Sequence, residues 1–476
     1  MSTTHCGYIV KVKELRPHRN ADKLQIAKFF DCETCVGLDV KLGDIGIYFP
    51  SGLQLSEEFC IQNNLVRRKD ETGRNVGGYL EPDKRNIKTI RLRGEPSDGI
   101  FMALDSVAYT GVDMSLLTEG TVIHELNGHE ICDKYIPKVK AHNEFNSPNR
   151  TRKNKPKNIP IAPLFNEHAD TEQLAYNLNA FKPGDEIEIT LKMHGTSQRT
   201  GYLPVFKGMK RTFWDKLFRR PGKPIYDWGY VTGTRRTVLD NFDGGFYGSN
   251  EFREPHAKFF EGKLHKGEEV FYEVVGFTTS GAPIMGSVSN KKLNDKEFER
   301  QYGPTTVFSY GCEPTGQRKK FYRDEISVFS IPEPVPQSDF YVYRMTMTNE
   351  DGNVVEYTPD YMRYRCEQMG CKTVPVFEQF RIPDSNDRNI LYLNSEGVID
   401  YVTKTPGEWV MEAAETYYDG PDPIDKTHVR EGVVVRIVNR PSFTAYKHKN
   451  FAFKCLSGII TEEATDIADA DIASEM

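Results

Sequence analysis

Along residues 188–197, apolar Ile189 and Leu191 alternate with Glu188, Thr190 and Lys192, the two-residue period of a half-buried strand. The strand is expected to stop at Gly195, where a backbone without a β-carbon turns freely. Lys192 then sits near a strand end, where its amine can be held against a bound ligand. Upstream, β-rich runs at 8–13, 24–30, 45–49, 88–93 and 99–104 are bounded by Gly, Pro, Asn or Asp. Their connections rarely show a helical period, which predicts a small closed barrel rather than a parallel sheet. Downstream, strands are expected near 200–205, 229–234, 270–276, 341–348, 428–437 and 444–449, with helices at 291–301 and 359–368. That mix predicts an α+β domain of antiparallel sheets.

At 476 residues the chain exceeds one ordinary core. Composition divides it at 138–158, where seven Lys and Arg residues sit among Asn, Ser and Pro with only Glu144 opposing them. So little apolar surface reads as an exposed basic linker between domains at 1–137 and 159–476. The formal charge of −6 does not announce a nucleic-acid binder, although a basic groove can coexist with acidic surfaces elsewhere. No apolar run of about 18 residues is present, and the first residues lack a charged-then-apolar pattern. Nine scattered cysteines suggest reduced thiols, so a cytoplasmic protein with no membrane partner is expected. Cys32 and Cys35 lack the second pair that structural zinc wants, and read as ordinary thiols. The acidic run at 462–471 reads as a short helix or a tail.

A lysine amine becomes a nucleophile when burial or neighbouring cations lower its pKa. Lys192-Met193-His194-Gly195-Thr196-Ser197 resembles the nucleophile motif, often Lys-x-His-Gly-Thr, of the covalent nucleotidyltransferases: RNA ligases, DNA ligases and capping enzymes. Val231-Thr232-Gly233-Thr234-Arg235-Arg236 resembles the superfamily's second motif, and Val270-Phe271-Tyr272-Glu273-Val274-Val275-Gly276 its third. Phe340-Tyr341-Val342-Tyr343-Arg344-Met345 resembles the aromatic strand that follows. Glu431-Gly432-Val433-Val434-Val435-Arg436 matches the fourth motif and Tyr446-Lys447-His448-Lys449 the fifth. Their shared order is far more specific than any one of them. Pro17-His18-Arg19-Asn20-Ala21-Asp22-Lys23-Leu24-Gln25 resembles the opening of tRNA-binding OB domains. With an N-terminal OB-like barrel, ATP-grasp-like antiparallel sheets of the ligase type and no C-terminal OB domain, the chain resembles the fifth RNA ligase family.

The resemblance implies ATP with Mg²⁺ or Mn²⁺, adenylation of Lys192 to lysyl-AMP, transfer of AMP to a 5′-phosphate, and displacement by an RNA 3′-hydroxyl. The substrates implied are RNA ends at nicks in duplex RNA or RNA/DNA hybrid, handled by a monomer. Lys447 and Lys449 alternate on one strand face and are expected to meet the phosphates and lower the pKa of Lys192, with Lys454 as a shifted alternative. Met193, Gly195 and Glu273 would line the nucleotide, Glu273 at the ribose, and Tyr343 would stack on adenine. Glu431 would hold the metal, and Arg235 or Arg236 would reach the 3′-terminal strand. By alternation Tyr341 and Tyr343 share a face. His194 favours RNA over DNA ligases, while Ser197 departs from the Asn or Arg familiar elsewhere. Arg16, His18, Arg19, Lys23, 67–69, Lys88, Arg91 and Arg93 are candidate phosphate contacts in the barrel, Arg91 and Arg93 sharing a face with Thr89. The basic, aromatic insertion at 211–220 reads as a partner- or RNA-binding helix or as a surface excursion. A DNA ligase, a capping guanylyltransferase and a non-catalytic RNA- or tRNA-binding protein remain the alternatives.

Overall fold

In the computed structural model, the described residues are 5–135, 159–168, 171–218, 222–235, 237–239, 241–243, 249–315, 335–384, 389–393 and 399–463. The basic linker, Arg236 and most of the acidic C-terminal run lie outside them.

The N-terminal strands are β1 (Gly7–Lys11), β2 (Leu24–Phe29), β3 (Cys32–Gly37), β4 (Ile45–Phe49), β5 (Thr89–Leu92), β6 (Glu95–Asp98), β7 (Ile100–Ala103) and β8 (Val122–Ile123). They pair antiparallel: β7-β4-β1-β8 in one sheet, β2-β3 extended by residues 15–17 in another, and β5-β6 as a hairpin. Both faces of the larger sheet are buried. Tyr8, Val10 and Tyr48 pack with Ala27, Phe29 and Val36, while Ile9, Ile47 and Phe49 pack with Leu53, Phe59 and Val107. Cys32 and Cys35, three residues apart on β3, fall on opposite faces.

The second half holds two five-stranded sheets. The first runs, in spatial order, from β9 (Glu172–Gln173) on one edge to a strand at 376–381 on the other. Between them lie 445–449, 432–437 and β10 (Glu186–Lys192), all antiparallel except the short β9 contact. The second contains β11 (Thr196–Lys210), β12 (Lys223–Gly233), β13 (Glu268–Gly276), β14 (Ser338–Thr348) and β15 (Val354–Glu356), ordered β12-β11-β13-β14-β15. The remaining first-sheet strands are β16 (Val376–Arg381), β17 (Gly432–Ile437) and β18 (Ala445–Lys449). Only residues 193–195 separate β10 from β11, so the end of one sheet feeds directly into the start of the other.

Helices take several places around the sheets. α1 (Phe213–Leu217) tips the β11–β12 hairpin, and α2 (Lys296–Tyr302) starts later than the sequence pattern suggests because Asn294 turns left-handed and Asp295 caps the helix. α3 (Pro359–Met369) matches its expectation. α4 (Pro406–Tyr417) packs Val410 and Ala414 on Ile187, Ile189 and Val435 of the first sheet. Together with α5 (Phe451–Glu463) it corrects the expectation of two helices. The signal for α4 was present, since Thr405 and Glu408 form a capping box and Pro406 stands at the first helical position.

Buried charge joins the two halves. Lys454 on α5 donates to Asp98 at 2.8 Å, and Asp98 also accepts from Thr89 at 2.7 Å. His448 on β18 faces Asp31 at 3.2 Å, and Arg91 pairs with Asp295 at 2.9 Å while lying over Phe451. Several barrel arginines are thereby committed within the protein. Arg16 binds Glu33 and Glu95 and Arg91 serves the junction, so these two depart from the expected phosphate-contact set, whereas Arg19 reaches Glu95 at 3.3 Å with its side chain 80% exposed. Arg93 takes φ 49° in the β5–β6 turn and does not share a strand face with Arg91. Among the described residues no helix is long and apolar enough to cross a membrane.

Removing one partner of a buried ion pair leaves an uncompensated charge, at a cost of about 3–5 kcal/mol. Asp98→Ala is therefore expected to lower unfolding stability by about 3 kcal/mol in chemical denaturation. A loss below about 1 kcal/mol, the level of a surface pair, would show that Lys454 finds another partner.

Candidate active site

Lys192 closes β10, opposite Gly432 of β17, and its side chain shares a face with Glu188 and Thr190. That face lines a cavity of about 440 Å³ between the two sheets. The first sheet contributes Lys192, Lys447 and Lys449, and the second contributes Glu273, Tyr343 and, beyond β12, Arg235. Met193, Gly195 and Glu431 also line it, so the residues expected at the nucleotide reach one space with Arg235.

Glu431 is the centre of charge. Its carboxylate, 3% exposed, accepts from Lys192 Nζ at 2.8 Å and from Lys449 Nζ at 3.1 Å, with His194 Nδ1 at 3.5 Å. Burial alone would raise its pKa, yet Lys192, Lys449 and His194 hold it well below the carboxylate range. Gly432 makes the approach possible: at φ 145°, a β-carbon there would press on Lys449 Cα at 2.8 Å and collide with the His448 carbonyl.

The charge balance reverses one expectation. Burial pushes the Lys192 amine down, but the Glu431 carboxylate outweighs it, and Lys192 sits above its ordinary value. The depressed amine is Lys447, brought to about 7 by burial and by the cationic Lys449, Lys192 and Arg235. Glu273 rises to about 7 through burial, against the pull of Lys192 and with repulsion from Glu431. A cation-rich wall thus faces a carboxyl that changes charge near neutrality.

Gly195 is needed for space rather than for a left-handed turn. A β-carbon there would lie within 2.8 Å of the Val274 carbonyl and Glu273 Cγ, where the motif loop crosses β13. Tyr341 and Tyr343 do not share a face, because β14 carries a bulge: Phe271 pairs with Arg344 and Tyr272 with Val342, leaving Tyr343 as the extra residue. Tyr343 consequently lines the cavity, its hydroxyl 3.1 Å from Ser197 Oγ, while Tyr341 packs in the core beneath the Lys372 ammonium. Lys454 borders the cavity but gives its charge to Asp98, leaving Lys447 and Lys449 as the cations that β18 turns toward the cavity.

Other residues join the site without any motif. Tyr310 accepts the His194 backbone N–H at 2.6 Å from a left-handed backbone, φ 50°, that is strained for an aromatic residue. Asp425 holds that turn by accepting from Ser309 Oγ and Gly311 N. His168 accepts from Arg344 through Nδ1 at 3.1 Å and lies 5.3 Å from the Tyr343 ring. Burial, then Arg344, Arg235 and Arg199, keep it neutral. Glu188, nearly buried although polar alternation placed it outward, accepts from Arg363 at 2.6 Å and Gln379 at 2.7 Å. Ser51, Asn86 and Lys88 close the cavity from the N-terminal half. These contacts join residues more than 100 positions apart, which no local pattern reveals.

No family model and no curated sequence matches the chain. Among solved structures, a Naegleria gruberi RNA ligase variant with ATP and Mn is similar at 14% identity and a TM-score of 0.49, over 94% of this chain and 98% of that one. A variant of the same protein with AMP and Mn gives 13% and 0.48, over 94% and 97%. An apo variant gives 13% and 0.49, over 95% and 98%.

Because folding depresses Lys447 from 10.5 to about 7, the unfolded chain binds more protons between those values. The stability cost of Lys447 is full at and below pH 7 and fades as pH rises toward 10.5. Lys447→Met is expected to raise the Tm most near neutral pH, with the gain shrinking by about pH 10. A gain that does not change with pH would show that Lys447 is not depressed in the folded protein.

Proposed function

We propose that the protein is an ATP-dependent RNA ligase acting through Lys192. One observation carries the reading: the Lys192 amine, 2.8 Å from a carboxylate shared with Lys449, opens into a single cavity with Lys447, Glu273, Tyr343 and Arg235. The six-motif resemblance supplies the order of residues, and Lys192-Met193-His194-Gly195-Thr196 favours RNA. On this reading residues 1–137 form an OB-like nucleic-acid-binding barrel, 138–158 a basic linker and 159–476 the adenylyltransferase domain without a C-terminal OB domain.

The reaction runs through in-line displacements at phosphorus, so positioning and charge neutralisation dominate. Lys192 Nζ attacks the α-phosphorus of ATP. The new P–N bond forms as the bond to the bridging β-oxygen breaks, pyrophosphate leaves, and the amine gives up its proton. Lys447 and Lys449 meet phosphate oxygens, and the arriving negative charge favours the protonated form of Lys447. Tyr343, aimed by the bulge, stacks on the base, and Glu273 bonds the ribose.

The donor set suits Mg²⁺ or Mn²⁺. Glu431 offers the carboxylate such an ion takes, and phosphates and water complete its shell. When bound, the cation supplies charge that neutralises the carboxylate now holding the Lys192 ammonium. AMP then passes to an RNA 5′-phosphate, and a 3′-hydroxyl positioned near Arg235 displaces it to seal the strand. The substrates are RNA ends, nicked duplex RNA or RNA/DNA hybrid.

With α-labelled ATP and Mg²⁺, acid-stable label is expected on the wild-type protein and absent from Lys192→Ala. The isolated labelled protein is expected to seal nicked RNA with a 3′-hydroxyl and to fail on an all-DNA nick. Label from GTP alone would indicate a capping-type enzyme, sealing of DNA would indicate a DNA ligase, and no label from either nucleotide would indicate a binding protein.

A further inference from the structure

The β11–β12 hairpin is longer than the site requires. β11 starts beside the Lys192 loop and β12 ends two residues before Arg235, yet β11 runs for 15 residues. At about 3.4 Å per residue its far end stands about 45 Å from that loop. The two faces of this ribbon differ in character. Leu203 and Val231 point to one side and are buried against Ala162 and Phe165.

The other side is aromatic and half-exposed. Tyr202 pairs with Tyr230 and Phe206 with Tyr226 across the strands, with Trp228 between them opposite Pro204. The first pair stacks at 4.6 Å, Tyr202 lies 5.9 Å from Trp228, and the Phe206–Tyr226 pair sits at 6.0 Å. At the tip, α1 presents Phe213, Trp214, Leu217 and Phe218, each 58–73% exposed, with Trp214 and Phe218 stacked at 6.0 Å.

Positive charge runs along the ribbon, chiefly on the face opposite the rings, where Lys207 Nζ lies against Gly229. Lys207, Lys210, Arg211 and Lys223 are exposed along the arms, and Lys266 lies over Trp228. Of the acidic residues here, Asp215 caps Thr212 and Asp227 accepts from the Trp228 amide. Exposed rings at the tip, with cations along the arms, suit a polyanion whose bases are free to stack. A continuous duplex keeps its base faces inside its own stack and offers these rings nothing.

We infer that this hairpin binds an unpaired RNA segment by base stacking and leads it toward Arg235 at the ribbon's root. The inference rests on the RNA ligase reading and narrows the substrate to RNA with a single-stranded stretch beside the sealed end. Lysines along the arms follow the phosphates.

Two of the chain's three tryptophans, Trp214 and Trp228, lie on this ribbon, so intrinsic fluorescence reports on it. In full-length Trp409→Phe protein, a single-stranded 20-mer of uridylate is expected to quench emission, and a blunt RNA duplex is not. Trp214→Ala/Phe218→Ala, changing only exposed side chains, is expected to weaken single-strand binding about tenfold while leaving ATP labelling of Lys192 intact. Intact labelling also verifies that the variant is folded. Equal binding by variant and parent, or equal quenching by duplex, overturns the inference. Quenching by phosphatidylserine vesicles but not by RNA overturns it in favour of a lipid surface. Loss of ATP labelling from the parent protein itself would instead sink the ligase reading, leaving the RNA-binding result to stand or fall separately.

Discussion

A carboxylate buried among cations organises this protein. Glu431 cannot be stable as a charge in a buried site unless it is paired, and the chain surrounds it with Lys192, Lys449 and His194 from two other segments. Each partner depends on a separate structural provision. β10 must end at Lys192, β18 must run close enough for Lys449, and Gly432 must lack a side chain for the two strands to meet. The loop that carries His194 is pinned from outside by Tyr310, whose strained backbone is held by Asp425. The pairing therefore sets the shape of the cavity as well as its charge.

The same strands that build the site also fasten the N-terminal half to it. β18 alternates Lys447 and Lys449 toward the cavity with His448 toward Asp31, and α5 follows at once with Lys454 on Asp98. A shift of the N-terminal half would drag the cavity-lining lysines with it. Ser51, Asn86 and Lys88 on the cavity wall belong to the same N-terminal half that these ion pairs fasten.

Much of this was readable from the chain. The Lys192 strand, six further strands of the two sheets, α3 and the convergence of Lys192, Glu273, Tyr343, Glu431, Lys447 and Lys449 follow from alternation and motif order, whereas the strands at 172–173, 354–356 and 376–381 went unread. Local patterns failed where a single residue breaks the period. The bulge at Tyr343 separates it from Tyr341, and the left-handed Arg93 leaves its strand. They failed again where charge is decided by partners distant in sequence. Arg16 and Arg91 look like phosphate contacts until Glu33, Glu95 and Asp295 are found beside them, and Lys192 looks depressed until Glu431 is placed at 2.8 Å. The helix at 406–417 carried its own capping signal and was legible in principle.

Control of the Lys192 amine by Glu431 is open to one direct measurement. In protein labelled with ¹³C at lysine Cε, the Lys192 resonance, assigned by its loss in Lys192→Ala, can be followed with pH in the wild type and in Glu431→Gln. The wild-type amine is expected to titrate above 10.5, and removing the carboxylate is expected to drop it below that value as burial and Lys449 take over. A Lys192 that titrates identically in both proteins would contradict the pairing at the centre of the site.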